Sequence, residues 1–259
     1  MEPIVFYDIP SNVHGRAWSP NTWKTRYALN YKGIPCTTVW VDYPDIAPIS
    51  KKIGAAPTGK ALDGSPQYTL PAIYDPNTKS AVSESAAIAR YLDKTYPDKA
   101  TLIPREADAL HAAFNAAFSA LLVPDLLQIM LPATNAQLRA KSAKYFRKTR
   151  EAAYGGRLEE WAPVGSEKRQ RHWKGIEQAF DTFKQWLGAD GREELFFMGD
   201  RISYADITVA SFLLWIKIVL GEDSKEWQDV LRWNEGHWAR FMEAFRKYEG
   251  VDVGIDAEV

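Results

Sequence analysis

The 259 residues carry 32 Lys and Arg against 33 Asp and Glu, a net charge of −1, so charge gives no reason to expect nucleic acid or an anionic membrane as a partner. Hydrophobic residues at 46% and charged residues at 25% describe an ordinary globular chain, long enough for two domains and a sizeable core. One cysteine excludes a disulfide framework, and four histidines without H-x-x-x-H or H-E-x-x-H spacing offer no set of ligands for a structural metal.

The opening, MEPIVFYDIP, has an acidic second residue and no long apolar run, unlike a secretory signal, and predicts a reduced, cytoplasmic protein. Within it IVFYDI (4–9) predicts a short strand. Residues 19–32 predict an amphipathic helix with Ser19 at the N-cap. Pro20 stands at the first helical position, where its missing N–H costs nothing, and Gly33 at the C-terminal stop. CTTVWVDY (36–43), rich in β-branched residues, predicts a second strand parallel to the first. A polar stretch rich in Pro, Gly and Lys runs from Pro44 to Gln67. YTLPAIYD and SAVS predict two strands joined by the turn PNTK, and SESAAIARYLDKTYP predicts a helix ended by Pro97. Pro71 removes a ladder donor from an apolar strand, which points to an edge or a bend, and to a cis peptide bond that exposes backbone groups.

Strand signals vanish after about residue 106. EADALHAAFNAAFSALL is a predicted helix, as are 135–161, 167–187, 204–220 and 234–248. ITVASFLLWIKIVL (207–220), interrupted by Lys217, is too short to span a bilayer and suits a core helix. Its start has a full signature: Ser203 as N-cap, Asp206 as a short variant of the capping box, and Ile202 with Ile207 as a staple. KRQRHWK (168–174), the densest basic run, predicts a solvated helix face. The chain divides into a small α/β domain over 1–97, a linker over 98–105 and a larger all-helical domain over 106–259. Ten tryptophans and 13% aromatics fit either a large core or an aromatic-lined pocket for flat apolar ligands.

A βαβ-ββα domain with a strand proline and SES at its last helix, followed by an all-α domain with an S-x-x-D box, resembles the cytosolic glutathione transferases over nearly the whole chain. LPAIYD is similar to that family's strand bearing a cis-proline, SESAAIARYLDKTYP to its signature helix E-S-x-A-I-x-x-Y-L, and SYADI to the box opening the core helix of its second domain. Within the superfamily, SPNTWKTRYALNYKGI looks most like the bacterial lignin β-etherases and the etherase-like fungal-specific class A transferases, which carry a similar S-P-x-x-W-[RK]-T segment.

The resemblance implies a thioredoxin-like N-terminal domain joined to a C-terminal helical bundle. It also implies conjugation of glutathione, as co-substrate and without a metal, to hydrophobic aromatic electrophiles such as lignin-derived aryl ethers or other wood phenolics, with β-etherase or peroxidase as side activities. A homodimer is implied too. Ser19 would face the glutathione sulfur, with Asn21 donating a second bond; a plain N-cap is the competing role for Ser19. Tyr7, late in the first strand, is the rival for the sulfur, although the expected glycine- or arginine-rich turn does not follow it. Cys36 is expected to be a small core residue. The backbone of Leu70 beside Pro71 would pair with the cysteinyl part of glutathione. Glu84 would take the γ-glutamyl ammonium and Ser85 its carboxylate, and Lys52 would meet the glycyl carboxylate. Phe114 and Phe118, at i, i+4, are either a wall of the second-substrate pocket or a core stripe. Two other functions remain open: a ligandin-type carrier of aromatic molecules, and a regulatory or scaffold protein with a vestigial site. The full set of Ser19, Pro71, Glu84 and Ser85 argues against the scaffold.

Overall fold

A computed structural model of the chain describes residues 1–61 and 63–258. Strand β1 (Ile4–Asp8) leads into helix α1 (Pro20–Lys32), and Gly33, in the left-handed region at φ 63°, donates its N–H to Asn30 and Leu29 carbonyls to stop it. Strand β2 (Cys36–Trp40) then lies parallel to β1, as the crossover requires. Strands β5 (Ala72–Asp75) and β6 (Ser80–Ser83) form a hairpin antiparallel to β1, and helix α3 (Ser85–Thr95) closes the unit.

The stretch predicted only as polar holds more structure than its composition announced. Helix α2 (Ile46–Lys52) tucks Ile46 and Ile49 inward, and β3 (Gly59–Lys60) pairs with β4 (Pro66–Gln67) as an exposed two-stranded ribbon. The strand expected over YTLPAIYD begins only at Ala72, because Pro71 cannot donate to a ladder.

The remainder is helical: α4 (Asp108–Gln137), α5 (Ala140–Tyr154), α6 (Leu158–Trp161), α7 (Glu167–Leu187), α8 (Tyr204–Leu220) and α9 (Lys225–Phe245). The helix predicted over EADALHAAFNAAFSALL ends at Leu122, yet α4 runs on through both Pro124 and Pro132. An internal proline costs about 3 kcal/mol. Leu122, Leu126, Ile129 and Met130 are fully buried around the two prolines, and each such side chain returns about 1.5–3 kcal/mol. By length and composition alone α4 could cross a membrane; in the fold it packs on α7 and α8, and its outward face exposes Leu110 and Leu121.

Helix α9 starts nine residues before the predicted helix at 234 and contains the reason for the mismatch. Asn234, Glu235 and Gly236 are all left-handed, at φ 50°, 58° and 74°, so two helices meet at a kink. Asn234 holds the kink by donating to Asp181 and accepting from the Trp238 indole, at 2.8 and 2.7 Å.

The C-terminal segment crosses back to the first unit, which the sequence did not predict. Strand β7 (Ile255–Asp256) pairs parallel with β2, giving the order β6-β5-β1-β2-β7. A buried ion pair sits beneath it: Arg26 meets Asp8 at 2.8 Å and Asp252 at 3.3 Å, and also donates to Thr38. At the other end of α1, the enclosed Lys32 ammonium pairs with Asp93 at 2.8 Å, whose carboxylate also accepts the Leu102 and Ile103 N–H groups of the linker.

Candidate functional site

The first turn of α1 answers the question its sequence posed. Ser19 is extended, at φ −69° and ψ 127°, and its carbonyl accepts from the Trp23 N–H at 2.9 Å and the Thr22 hydroxyl at 3.1 Å. Its side chain makes no capping hydrogen bond. The Ser19 hydroxyl is therefore at a helix N-terminus, beside partly positive N–H groups, without being used to cap them.

Four further predicted residues, Leu70, Pro71, Glu84 and Ser85, come together at one edge. The Leu70–Pro71 peptide is cis, as the sequence predicted. Among the described residues, no backbone hydrogen bond reaches the N–H or C=O of Leu70, and the Pro71 carbonyl accepts from the Glu84 N–H at 3.3 Å. Glu84 has φ 78°, a left-handed value that is rare for a residue with a side chain and that clusters at functional sites. Its carboxylate caps α3, accepting from the Ala86 and Ala87 N–H groups at 3.0 and 2.9 Å and from the Ser85 hydroxyl at 3.2 Å. An acidic group thus already sits on the anion-attracting end of that helix.

Two members of this neighbourhood escaped the sequence reading. Tyr204, buried at the start of α8, lies against Ser85, 119 positions away in the chain. Lys24, in the second turn of α1, has its ammonium 5.7 Å from the Phe212 ring centroid, and the charge of Glu84 acts on it. Burial pulls the Lys24 pKa down to about 8, and Glu84 opposes that pull. The one available signal for Lys24 was its i, i+4 spacing from Pro20.

Other predicted residues stand apart. Asn21 is exposed beside Ser19. Lys52 is exposed at the end of α2, where its ammonium donates to the Glu258 carbonyl at 3.3 Å; among the described contacts none joins it to Pro71, Glu84 or Ser85. Tyr7 is paired on both sides within β1, and burial pushes its phenol above the ordinary range. Cys36 is only half-buried, yet desolvation raises its thiol to about 11, which makes it a poor nucleophile. Phe118 is sealed among Phe114, Phe183 and Phe212, so of the aromatic pair it is a core ring and no pocket wall; Phe114 keeps some exposed surface beside Phe197, at 4.6 Å. A cavity of about 850 Å³ opens elsewhere, between Tyr31, Phe196, Arg201 and Tyr248, and contains none of the residues predicted for the site. The convergence of Pro71, Glu84 and Ser85 has the stronger chemical argument, because it combines free backbone groups with a helix N-terminus.

Comparison with known proteins bears on this arrangement. Residues 18–95 match the glutathione S-transferase N-terminal domain, and residues 109–248 match the glutathione S-transferase C-terminal domain. The chain is 31% identical over 255 residues to a glutathione S-transferase-like protein of Aspergillus flavus, ustS, covering 93% of this chain and 89% of that protein. It is 57% identical to a glutathione S-transferase of Ceriporiopsis subvermispora whose crystal structure is a complex with glutathione, with a TM-score of 0.95 over 98% of this chain and 100% of that one. The crystal structure of glutathione transferase GSTFuA3 from Phanerochaete chrysosporium is 44% identical, with a TM-score of 0.92 over 98% of this chain and 100% of that one.

Proposed function

The chain belongs to the glutathione S-transferase family, and from that premise we propose that it uses the Ser19 hydroxyl to activate the glutathione thiol for attack on hydrophobic aromatic electrophiles. The observation that carries this reading is the Ser19 side chain, placed at the start of α1 and free of any capping bond. A free thiol has a pKa near 8.5, and lowering it by about two units requires roughly 2.7 kcal/mol in favour of the thiolate. One hydrogen bond to a charged group contributes about 1.5–3 kcal/mol, and a helix N-terminus adds about 0.3–1 kcal/mol. The hydroxyl and the helix together reach the required size.

Glutathione itself is the co-substrate. We assign its cysteinyl backbone to the unpaired N–H and C=O of Leu70, as an added strand. Its γ-glutamyl end goes to Glu84 and Ser85, where the Glu84 carboxylate takes the ammonium. The ligand carboxylate then takes over the α3 N–H groups that Glu84 now holds. Lys52 meets the glycyl carboxylate only if it gives up its bond to Glu258. The aromatic electrophile sits between the two units against the helical one, lignin-derived aryl ethers and other wood phenolics being its substrate class. The assembly is a homodimer, for which the exposed Leu110 and Leu121 of α4 offer an apolar face; sedimentation should give the mass of two chains, and 29.3 kDa at micromolar concentration would remove that part.

The test of the glutathione site is the double variant Glu84→Ala, Ser85→Ala. Retention on immobilised glutathione should be lost while circular dichroism stays native. Unchanged retention would place the tripeptide elsewhere. Tight binding of aromatic compounds with no product from any of them would favour the carrier over the catalyst.

A further inference from the structure

We propose that Lys24 is the anion-recognising group of the electrophile site, receiving a carboxylate or phenolate carried by the aromatic substrate. The proposal rests on the transferase reading above and names the charge of its second substrate.

Helix geometry places the residue. Pro20 and Lys24 are one turn apart on the same face of α1, and long helical side chains lie back over the turn that precedes them. Lys24 therefore runs toward the Ser19 end of the helix. Its ammonium reaches a junction: 5.7 Å from the centre of the Phe212 ring on α8, and within the field of Glu84 on α3. It lies by the helical unit while feeling a charge of the first.

Its lack of a partner sets it apart. Arg26 is paired with Asp8 at 2.8 Å, Lys32 with Asp93 at 2.8 Å and Arg169 with Glu226 at 2.6 Å. Arg150, which has no ion pair among the described residues, donates to Thr149 and stacks on Phe146 at 4.4 Å, away from α1 and α3. Lys24 makes no ion pair among the described residues, although it is partly buried. Glu84 forms no ion pair with it; its carboxylate is turned to the Ser85 hydroxyl and the Ala86 and Ala87 N–H groups. A desolvated ammonium without a counter-ion is costly to keep, and an arriving anion removes that cost. Phe212, itself buried, holds the ammonium at cation–π distance against the aromatic core of the helical unit, which suits an oxyanion carried on an aromatic ring. Glutathione has two carboxylates of its own, but the α3 N-terminus and the α2 lysine are the sites assigned to them. Lys24 is then the cation left for the second substrate.

A matched pair of electrophiles tests this: 4-chloro-3-nitrobenzoate and 4-chloro-3-nitrobenzamide. In both, the glutathione thiolate forms a C–S bond at the ring carbon, the C–Cl bond breaks, and chloride leaves with the bonding pair while the thiol proton passes to solvent. The pair differs in charge and little in shape. Lys24→Met should lower the ratio of kcat/KM for the benzoate over the benzamide at least tenfold, and Lys24→Arg should keep most of it. A native melting temperature guards against a folding defect. A ratio unchanged in Lys24→Met would overturn the proposal. So would a tenfold rise in the KM for glutathione with the ratio unchanged, which would move Lys24 to the tripeptide. If the wild-type protein is retained on glutathione yet converts neither compound, the catalytic reading fails by itself. Lys24 is then judged by tryptophan-fluorescence titration of both compounds, where a loss of benzoate affinity alone in Lys24→Met upholds it and equal affinities overturn it.

Discussion

Two serines in this molecule stand at the same place on two helices and do different things. Ser203, before α8, is buried and closed into a box: its hydroxyl donates to Asp206 at 2.7 Å and its N–H to the same carboxylate at 2.8 Å. Asp206 also accepts the Phe197 N–H at 2.8 Å, so one carboxylate ties the preceding loop to the helix start. Ser19, before α1, is equally buried, yet its side chain makes no capping bond. The residues three positions on differ as well. Asp206 follows Ser203 at the position that returns a hydrogen bond, whereas Thr22 follows Ser19 and turns its hydroxyl to the Ser19 carbonyl. Ser166 and Ser224 accept the Arg169 and Trp227 N–H groups at 3.1 Å with no returning carboxylate, so what marks Ser19 is a hydroxyl that caps nothing.

The largest effect should come from breaking the closed box. Asp206→Ala strands the Ser203 and Phe197 N–H groups in a buried site, at a cost of about 3 kcal/mol in the unfolding free energy read by denaturant titration. A cost under about 1 kcal/mol would show that the box contributes little more than an exposed cap.

The next effect sharpens the view that buried polar groups of the helical unit are structural. His237 is enclosed against Trp238 and Phe241, and burial draws its pKa down to about 4. Between its ordinary value near 6.5 and about 4 the unfolded chain binds a proton that the native one refuses, so the histidine's contribution falls as pH falls. From pH 7 to pH 5 the wild-type protein should lose about 2 kcal/mol relative to His237→Phe. Asp206 works in the opposite sense: burial raises its pKa to about 6, so its contribution is lost as pH rises. It is common to both proteins and cancels in the difference. A constant gap between the two proteins across that range would mean that His237 takes up its proton in the folded state.

Smallest, and most diagnostic of the comparison, is the serine pair. Ser203→Ala should cost about 1 kcal/mol, in the usual range for an N-cap. Ser19→Ala should cost less than about 0.5 kcal/mol, because no capping bond is lost. Equal losses would erase the distinction between the two.

The same contrast explains how much could be read in advance. The limits of α1, the box at Ser203, the cis bond before Pro71 and the start of α3 are local events, written within four or five neighbouring residues, and they were legible. Helix α4 was not, because its passage through Pro124 is decided by Leu122 and Leu126 meeting α7 and α8. Strand β7 has two residues and no pattern; Arg26 and Thr38, more than 200 positions away, hold the segment that leads to it through Asp252. The place of Glu84 and Ser85 at the start of α3 was legible from one motif. Lys24 and Tyr204 gain their importance from the packing of α8 on α1 and from the Tyr204–Ser85 hydrogen bond, which no spacing records. Of the two roles open for Phe118 the core one holds, and packing alone could decide it: helical periodicity marks an apolar face without saying whether protein or ligand covers it.

The most direct test of the central claim is the pKa of bound glutathione, read from the ultraviolet absorbance of its thiolate across a pH titration of the complex. The wild-type complex should titrate well below 8.5, by about two units, and Ser19→Ala should raise that value by at least about one unit while affinity for glutathione changes little. Tyr7→Phe should leave it in place. A thiolate titration unmoved by Ser19→Ala and shifted by Tyr7→Phe would contradict the account and give the sulfur to the tyrosine.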